Sequence, residues 1–343
     1  MKRFLPSALL LAAHLVNTST ANAQPNIAQL LPLHESIVQI SVELGNGNAG
    51  TGTGVVISPE YVVTNCHVIA NGKGANVAKY NDGYKPIAIK ADWKHDLCAL
   101  KFEGLPFKPV QLRDSATLAI EEEVFSLGYP NGNNVPQPSY GSIKAKYAMD
   151  DSLIIRSNAA FSLGSSGGAL FDQKLNLIGM TTFKSPGRDA YYYSLPMKWV
   201  EALLKQPDIL LTTPMESPFW DVPPKERPFF MQAVQPLKTG AWSTLELIAR
   251  TWVSVEKDNA EAWMHLGLAQ QGLQEFDAAK KSYAKVLQLA PKHSSAIYQL
   301  GVMAKTQGDE QQVKLVSAQL TLIDPDIAED YELEVGLRQR ENP

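Results

Sequence analysis

A repeat of 34 residues near the C-terminus constrains the fold of this 343-residue chain more than any other feature. Apolar residues, a glycine and a proline recur at this interval in two copies. The positions are Trp263, Leu266, Gly267 and Pro291, then Ile297, Leu300, Gly301 and Pro325. Apolar residues at helical spacing indicate helices, and the prolines end them. A period of this length is typical of stacked pairs of helices.

The period and the residue pattern are those of tetratricopeptide repeats. We expect the best copies at residues 260–293 and 294–327, inside an all-α domain at 237–343. Such repeats stack into a concave surface that commonly binds peptides or proteins. We therefore expect a protein partner there, which the sequence does not identify. Packing against the rest of the chain, or self-association, is the alternative.

Stacked repeats usually need about three copies for stability. Residues 228–240 and 241–256 look like a degenerate initial repeat, and residues 330–340 are expected to form a capping helix. Upstream, residues 206–236 contain seven prolines, a density that predicts a stiff linker without regular helices or strands. Aromatic residues inside this linker are expected to dock on a neighbouring domain.

The residues before the linker show a different pattern of apolar and turn-forming residues. Short apolar segments broken by Asn-Gly, Asp-Gly and Pro indicate an all-β sandwich or barrel, and periodicity alone does not choose between them. The predicted strands are 36–44, 55–58, 61–65, 85–92, 97–102, 124–127, 141–147, 153–156, 168–171, 177–183 and 190–195.

Three residues in this β region have the types and flanks that nucleophilic catalysis requires. Ser166 lies in the glycine-rich stretch 164–170, His67 follows a strand-like run, and Asp96 enters a buried-looking strand. A serine hydroxyl needs an imidazole base, and the imidazole needs a carboxylate behind it. Each residue alone has a structural explanation. Together they predict a catalytic triad in the chain order His, Asp, Ser.

Longer motifs carry a resemblance to a known family. They are GTGTGVVIS at 50–58, YVVTNCHV at 61–68, DLCAL at 96–100, SLGYPNG at 126–132 and NAAFSLGSSGGAL at 158–170. Over about residues 37–204 the chain resembles trypsin-like serine proteases of the HtrA/Deg type. The resemblance implies two antiparallel six-stranded barrels with the site between them. The chain departs from the family in two ways. Ser165 precedes the expected nucleophile, where the family usually has Asn or Asp, and the family's C-terminal PDZ domain is not evident.

The resemblance also implies the roles of the site residues. Ser166 is the expected nucleophile of a serine endopeptidase, His67 its base and Asp96 the residue that orients His67. The backbone N–H groups of Gly164 and Ser166 are the expected oxyanion hole.

Specificity is predicted from the same resemblance. Ala160 is expected at the base of the pocket for the residue before the cut, and Thr181, Thr182 and Phe183 on the strand along which substrate adds. A pocket of this kind favours small or medium apolar residues. Ordinary barrel core is the alternative explanation for these four residues.

The two cysteines, Cys66 and Cys98, each lie within two residues of a predicted triad member. Because the side chains of His67 and Asp96 must meet, a disulfide between these neighbours is expected in an oxidising compartment. Two buried free thiols are the alternative. We expect no metal site, because ligands are few, and no cofactor.

The N-terminus reads as a secretory signal peptide at residues 1–23, which places the protease domain at 24–205. No later stretch is apolar enough to span a membrane, so we expect a secreted, most simply periplasmic, protein without a membrane anchor after cleavage. The net charge of −4, without a basic patch, argues against nucleic-acid binding.

Two other functions remain open at this stage. One is a binding or scaffold protein that retains a mostly inactive protease fold. The other is hydrolysis of a non-protein ester or amide by the same triad.

Overall fold

The computed structural model describes residues 24–44, 49–70, 72–79, 82–186, 190–210 and 216–339. The predicted signal peptide, residues 1–23, lies outside this part of the chain. No helix in the described ranges is long and apolar enough to cross a bilayer.

Seven antiparallel strands form the first sheet, after a short helix α1 (Ile27–His34). Their order is β5-β4-β1-β2-β3-β7-β6, and no pairing between the edge strands β5 and β6 is found among the described residues. This sheet lies where the first barrel was predicted and is called the first barrel below. Helix α2 (Cys66–Ile69) lies between the third and fourth strands. The strands are β1 (Ile37–Leu44), β2 (Ala49–Val56), β3 (Tyr61–Thr64), β4 (Gly72–Lys79), β5 (Asp82–Tyr84), β6 (Ala88–Asp92) and β7 (Leu97–Lys101).

The second sheet also has seven strands, in the order β12-β9-β10-β11-β14-β13-β8. Because β12 also pairs with β13, six strands close into a barrel, and β8 joins β13 from outside in parallel. Helix α3 (Met197–Leu204) follows. The strands are β8 (Gln111–Leu112), β9 (Glu123–Gly128), β10 (Gln137–Met149), β11 (Ser152–Ser157), β12 (Gly168–Asp172), β13 (Asn176–Lys184) and β14 (Tyr192–Pro196).

The strand count differs from the predicted six plus six because each sheet carries a short extra strand, β5 and β8. The sequence reading also omitted β4. Its glycines and lysines suggest a loop, yet Ala75 and Val77 alternate inward and are buried at 7% and 0% exposure. Pairing with β1 on one side and β5 on the other overrides the weak local pattern.

Helices do form inside the proline-rich segment, and the prediction that it would lack them was wrong. Helix α4 (Phe229–Gln232) starts after Pro228, and α5 (Val234–Thr239) contains Pro236 in its first turn. A first-turn N–H needs no intrahelical partner, so proline is tolerated at such positions. Phe230 is buried and stacks on Tyr147 of the second barrel, with ring centroids 4.3 Å apart.

The C-terminal region is helical, as predicted. Helices α7 and α8 fill the first predicted repeat, and α9 and α10 the second. The last helix starts at Pro325 rather than at residue 330, because Asp324 caps it by accepting a bond from the N–H of Ile327. The helices are α6 (Trp242–Val255), α7 (Ala260–Gly272), α8 (Phe276–Leu289), α9 (Ser294–Thr306), α10 (Glu310–Ile323) and α11 (Pro325–Val335).

The recurring glycines allow paired helices to approach. A Cβ added to Gly267 would lie 2.5 Å from the ring of Tyr283, and one added to Gly301 would lie 2.4 Å from the hydroxyl of Tyr331. Both tyrosines are fully buried. The glycine positions of the repeat pattern are therefore points of close helix contact.

Candidate active site

The candidate nucleophile lies in a turn that requires glycine on both sides. Gly164 has φ +90° and Gly167 has φ +80°. A Cβ at Gly164 would lie 2.4 Å from the carbonyl oxygen of Tyr129, and one at Gly167 would lie 2.3 Å from that of Thr53. Only glycine combines these angles with such close backbone contacts. The turn thereby fixes the backbone of Ser166 at the junction of the two barrels.

His67 and Asp96 are in direct contact in the first barrel. His67 lies in the first turn of α2, and Asp96 lies in the turn before β7 with φ +59°. Asp96 is 1% exposed. Its Oδ2 lies 2.6 Å from Nδ1 of His67, and its Oδ1 accepts a bond of 2.8 Å from the backbone N–H of His67. With Nδ1–H donated to the carboxylate, Nε2 is the basic nitrogen of the ring.

Ser166 is not hydrogen-bonded to His67 in the described part of the chain. Its hydroxyl instead donates to the carbonyl oxygen of Thr182, over 3.2 Å. The geometry thus joins two of the three predicted triad members directly. Catalytic hydrogen bonds are often long or misaligned without substrate and tighten only when it binds.

Neither of the two predicted oxyanion donors, the N–H groups of Gly164 and Ser166, meets a protein acceptor among the described residues. The carbonyl of Leu163 accepts from the N–H of Asn131 at 2.6 Å. Because C=O and N–H of one peptide plane point in opposite directions, the N–H of Gly164 points away from Asn131. Both donors are therefore available to a ligand.

Thr53 of β2 holds this loop, a role that the sequence reading missed. Its hydroxyl donates to the carbonyl of Gly164 at 2.7 Å and accepts from the N–H of Tyr129 at 3.0 Å. Its own N–H donates to the carbonyl of Ser166 at 2.8 Å. Thr53 is completely buried. The first barrel thus fixes two carbonyls of the nucleophile loop of the second.

A disulfide joins Cys66 and Cys98, 32 positions apart. Cys66 opens α2 immediately before His67, and Cys98 lies on β7 two positions after Asp96. The covalent link therefore connects the two elements that hold the imidazole and the carboxylate.

The four residues predicted to bind substrate lie near one another in different roles. Ala160 and Thr181 line a cavity of about 290 Å³ beside the nucleophile loop. The Thr181 hydroxyl is buried and donates to the carbonyl of Ser165 at 2.8 Å. Thr182 presents its carbonyl to Ser166, whereas its side chain is buried. The half-buried Phe183 stacks on Tyr193, with ring centroids 4.7 Å apart.

His95, next to the candidate aspartate, belongs to a separate ion-pair cluster. Its ring nitrogens contact Asp92 at 2.7 Å and Asp150 at 3.0 Å. Burial opposes the charge of His95, but the hydrogen bonds and charges of these two aspartates raise its pKa. Its two nitrogens are thus committed to structural contacts, which leaves His67 as the candidate base.

Trp220 of the proline-rich segment reaches the same carboxylate. Its indole Nε1 donates to Oδ2 of Asp96 at 3.1 Å. Its ring lies edge-on to His67, with centroids 5.4 Å apart and planes at 87°. The sequence reading predicted only that aromatics of this segment dock on a neighbouring domain. Nothing in the local sequence signals a contact with a residue 124 positions earlier.

Comparison with known proteins identifies two domain families in the chain. Residues 52–180 match the trypsin-like peptidase domain, and residues 260–293 match a tetratricopeptide repeat. These matches confirm the resemblance to trypsin-like peptidases, the tetratricopeptide repeat and the predicted order of a β domain before an α domain.

Several curated relatives have the name probable periplasmic serine endoprotease DegP-like. The one from Ectopseudomonas mendocina (strain ymp) is 28% identical over 191 residues, which is 51% of this chain and 40% of that protein. The one from Rickettsia prowazekii (strain Madrid E) is 35% identical over 144 residues, which is 38% of this chain and 28% of that protein. The chain spans less than half the length of either relative.

Solved structures of proteases also match about half of this chain. AlgW with a tripeptide is 26% identical, covers 53% of this chain and 63% of its own, and gives a TM-score of 0.46. The serine endoprotease from Yersinia pestis is 22% identical, covers 52% of this chain and 65% of its own, and also gives 0.46.

Proposed function

We propose that this chain, which carries a trypsin-like peptidase domain and a tetratricopeptide repeat, is an exported serine endopeptidase that uses His67, Asp96 and Ser166. The observation that carries the proposal is the contact of 2.6 Å between His67 Nδ1 and the buried Asp96 carboxylate. This pair lies beside a glycine-bracketed serine, and the N–H groups of Gly164 and Ser166 meet no protein acceptor among the described residues. That combination supports acyl transfer.

The proposed chemistry follows from these groups. Nε2 of His67 takes the hydroxyl proton of Ser166 while Oγ attacks a peptide carbonyl carbon, and Asp96 stabilises the imidazolium. The N–H groups of Gly164 and Ser166 donate to the oxyanion. The intermediate collapses as His67 gives its proton to the leaving amine. Water, deprotonated by the same imidazole, then hydrolyses the acyl-enzyme.

Substrate binding would also reorient the serine. Strand β13 pairs with β12 only as far as Thr181, so beyond that residue its edge on this side has no strand partner in the described ranges. An extended peptide that adds there would offer an N–H to the carbonyl of Thr182. Ser166 would lose its present acceptor and turn toward His67. We therefore propose that extended, unfolded chains are the substrates.

The remaining assignments belong to the same proposal. Ala160 would admit a small or medium apolar residue, and the repeat surface would bind a protein partner or substrate. The signal peptide would be residues 1–23, the protease domain 24–205, the linker 206–236 and the repeat domain 237–343. Export to the periplasm is supported by the apolar N-terminal segment, by the disulfide and by the names of the relatives.

A fluorophosphonate probe tests the nucleophile directly. We would label purified residues 24–343 with and without unfolded casein, beside Ser166→Ala and His67→Ala. The expected result is labelling of the wild type that both substitutions abolish. Casein should be cleaved only by the wild type. Labelling that survives in Ser166→Ala would contradict the assignment.

The hydrogen bond from Ser166 to Thr182 favours a second candidate, a binding protein with a resting protease fold. In that case the wild type would stay unlabelled even with unfolded casein present. Casein would nevertheless bind with equal affinity to the wild type and to Ser166→Ala.

A further inference from the structure

The carboxylate of Asp96 accepts three hydrogen bonds, and one of them comes from outside the two barrels. His67 supplies two through its backbone N–H and Nδ1, and Trp220 supplies the third through its indole. Hydrogen bonds from fixed donors hold a buried carboxylate in one orientation. The position of Trp220 is therefore relevant to the chemistry that Asp96 supports.

Barrel side chains near this carboxylate are committed elsewhere. The hydroxyl of Thr182 donates to the carbonyl of Met180 at 2.9 Å and accepts from Nδ2 of Asn65 at 3.0 Å. Asn65 Nδ2 also donates to the backbone carbonyl of Asp96, at 2.9 Å. Within the described ranges, Trp220 is the one side chain besides His67 that donates to either carboxylate oxygen.

Several contacts hold Trp220 against the site. The backbone N–H of Phe219 donates to the carbonyl of Lys94 at 3.0 Å, two positions before Asp96. Phe219 is 5% exposed and packs edge-on against Phe183 at 5.7 Å. The Trp220 ring stacks on the same Phe183, with centroids 5.8 Å apart and planes at 25°. Residues 219–220 therefore form a docked turn rather than a tether.

We infer that Trp220 is a positioning residue of the catalytic triad, which holds the Asp96 carboxylate in the plane of the His67 ring. The inference rests on the proposed serine peptidase function. Without the indole N–H, the carboxylate keeps only the two bonds from His67, one on each oxygen, and Oδ2 has no second donor to fix its angle to the imidazole. The triad is then complete only while the segment that leads to the repeat domain is docked on the barrels.

Trp220→Phe tests this role because it removes the N–H and keeps an aromatic ring. The matched control is Trp263→Phe, which removes an indole bond of 2.8 Å to the carbonyl of Lys257 in the repeat domain. For both variants we would measure the maximal rate of fluorophosphonate labelling, the half-saturating probe concentration and the melting temperature. Proton NMR would follow the low-field resonance of the hydrogen bond between His67 and Asp96.

For Trp220→Phe we expect the maximal labelling rate to fall about 10- to 100-fold, the range for a lost hydrogen bond to a charged group. The half-saturating concentration should change less than about twofold, since the ring surface remains. The low-field resonance should shift or broaden. Trp263→Phe should keep the wild-type rate and resonance, with a melting temperature close to that of Trp220→Phe.

An active wild type whose labelling rate and resonance are unchanged in Trp220→Phe would overturn the inference. An equal loss of rate in both variants would also overturn it, because the effect would then be general destabilisation. If the wild type is never labelled, the proposed function fails separately. The low-field NMR resonance is then the remaining test of whether Trp220 orients His67 and Asp96.

Discussion

At the scale of single residues, the hydroxyl of Thr53 controls the loop that carries the candidate oxyanion donors. It donates to the carbonyl of Gly164 at 2.7 Å and accepts from the N–H of Tyr129 at 3.0 Å. Thr53→Val keeps the shape of the side chain and removes both bonds. The carbonyl of Gly164 would lose this donor in a partly buried place, and the loop would relax.

We therefore expect Thr53→Val to slow fluorophosphonate labelling about 10- to 100-fold, somewhat less than the loss of an oxyanion donor itself. Thr51→Val is the control, because Thr51 lies exposed on the same strand. Labelling rates and melting temperatures of both variants would be compared with the wild type. Equal rates for Thr53→Val and wild type would show that the loop holds its conformation without this hydroxyl.

Single residues also show which parts of the site sequence could predict. Ser166, His67 and Asp96 have rare side-chain chemistry in recognisable flanks, so pattern alone selected them. Thr53 and Trp220 contribute one common donor each, and their partners lie 111 and 124 positions away. Such contacts arise from the packing of distant segments. No local pattern predicts them.

At the scale of elements, the disulfide between Cys66 and Cys98 connects α2 to β7. Its removal should cost about 3 to 4 kcal/mol of unfolding free energy, because it closes a loop of 32 positions in the unfolded chain. It should also slow labelling, since the link lies between the elements that carry His67 and Asp96. We would measure urea unfolding and labelling for Cys66→Ala/Cys98→Ala.

Dithiothreitol provides the control for this prediction. Reduction should lower the urea midpoint of the wild type to that of the double variant and leave the variant itself unchanged. If thiol titration shows complete reduction of the wild type and its midpoint stays the same, the disulfide does not stabilise the fold.

Elements were predicted best where local pattern and tertiary pairing agree. The strongly apolar strands β7 and β13 lie within one residue of their predicted limits. Helix α5 lies where two predictions overlap, a linker to residue 236 and a degenerate repeat from residue 228. The linker prediction fails there because Pro236 lies in the first turn of the helix, where proline is tolerated. The existence of β4 depends on its pairing with β1 and β5 rather than on its own residues.

At the scale of the whole molecule, a buried ionic cluster joins the second barrel to the repeat domain. Glu261 of α7 is 2% exposed and contacts Nε2 of His293 at 2.8 Å and Nη2 of Arg156 at 3.6 Å. Arg156 belongs to β11 of the barrel. Sequence predicted both domains but not this contact, because complementary charges on separate domains leave no periodic signal.

The cluster makes stability depend on pH. Burial alone would raise the pKa of Glu261, but the charge of Arg156 and the contact with His293 lower it to about 2. Its usual value is 4.5. Stability from the ionised carboxylate is therefore fully present above about pH 4.5 and is lost as pH falls toward 2. Burial also lowers the pKa of His265, which adds to acid destabilisation because the unfolded chain binds that proton more tightly.

Glu261→Gln should consequently destabilise the protein most at neutral pH. There it leaves the charge of Arg156 largely buried without its counter-ion, at a cost of about 3 to 5 kcal/mol. At pH 3 the difference from the wild type should shrink, because the unfolded wild-type carboxylate is then protonated and ionisation contributes less to stability. Urea unfolding at pH 7 and at pH 3 measures the two differences in unfolding free energy.

Glu310→Gln is the control. It breaks an exposed pair with Lys305 and should cost under about 1 kcal/mol at either pH. A cost for Glu261→Gln as small as that control, or one independent of pH, would mean that apolar packing rather than this ionic cluster holds the barrel and the repeats together.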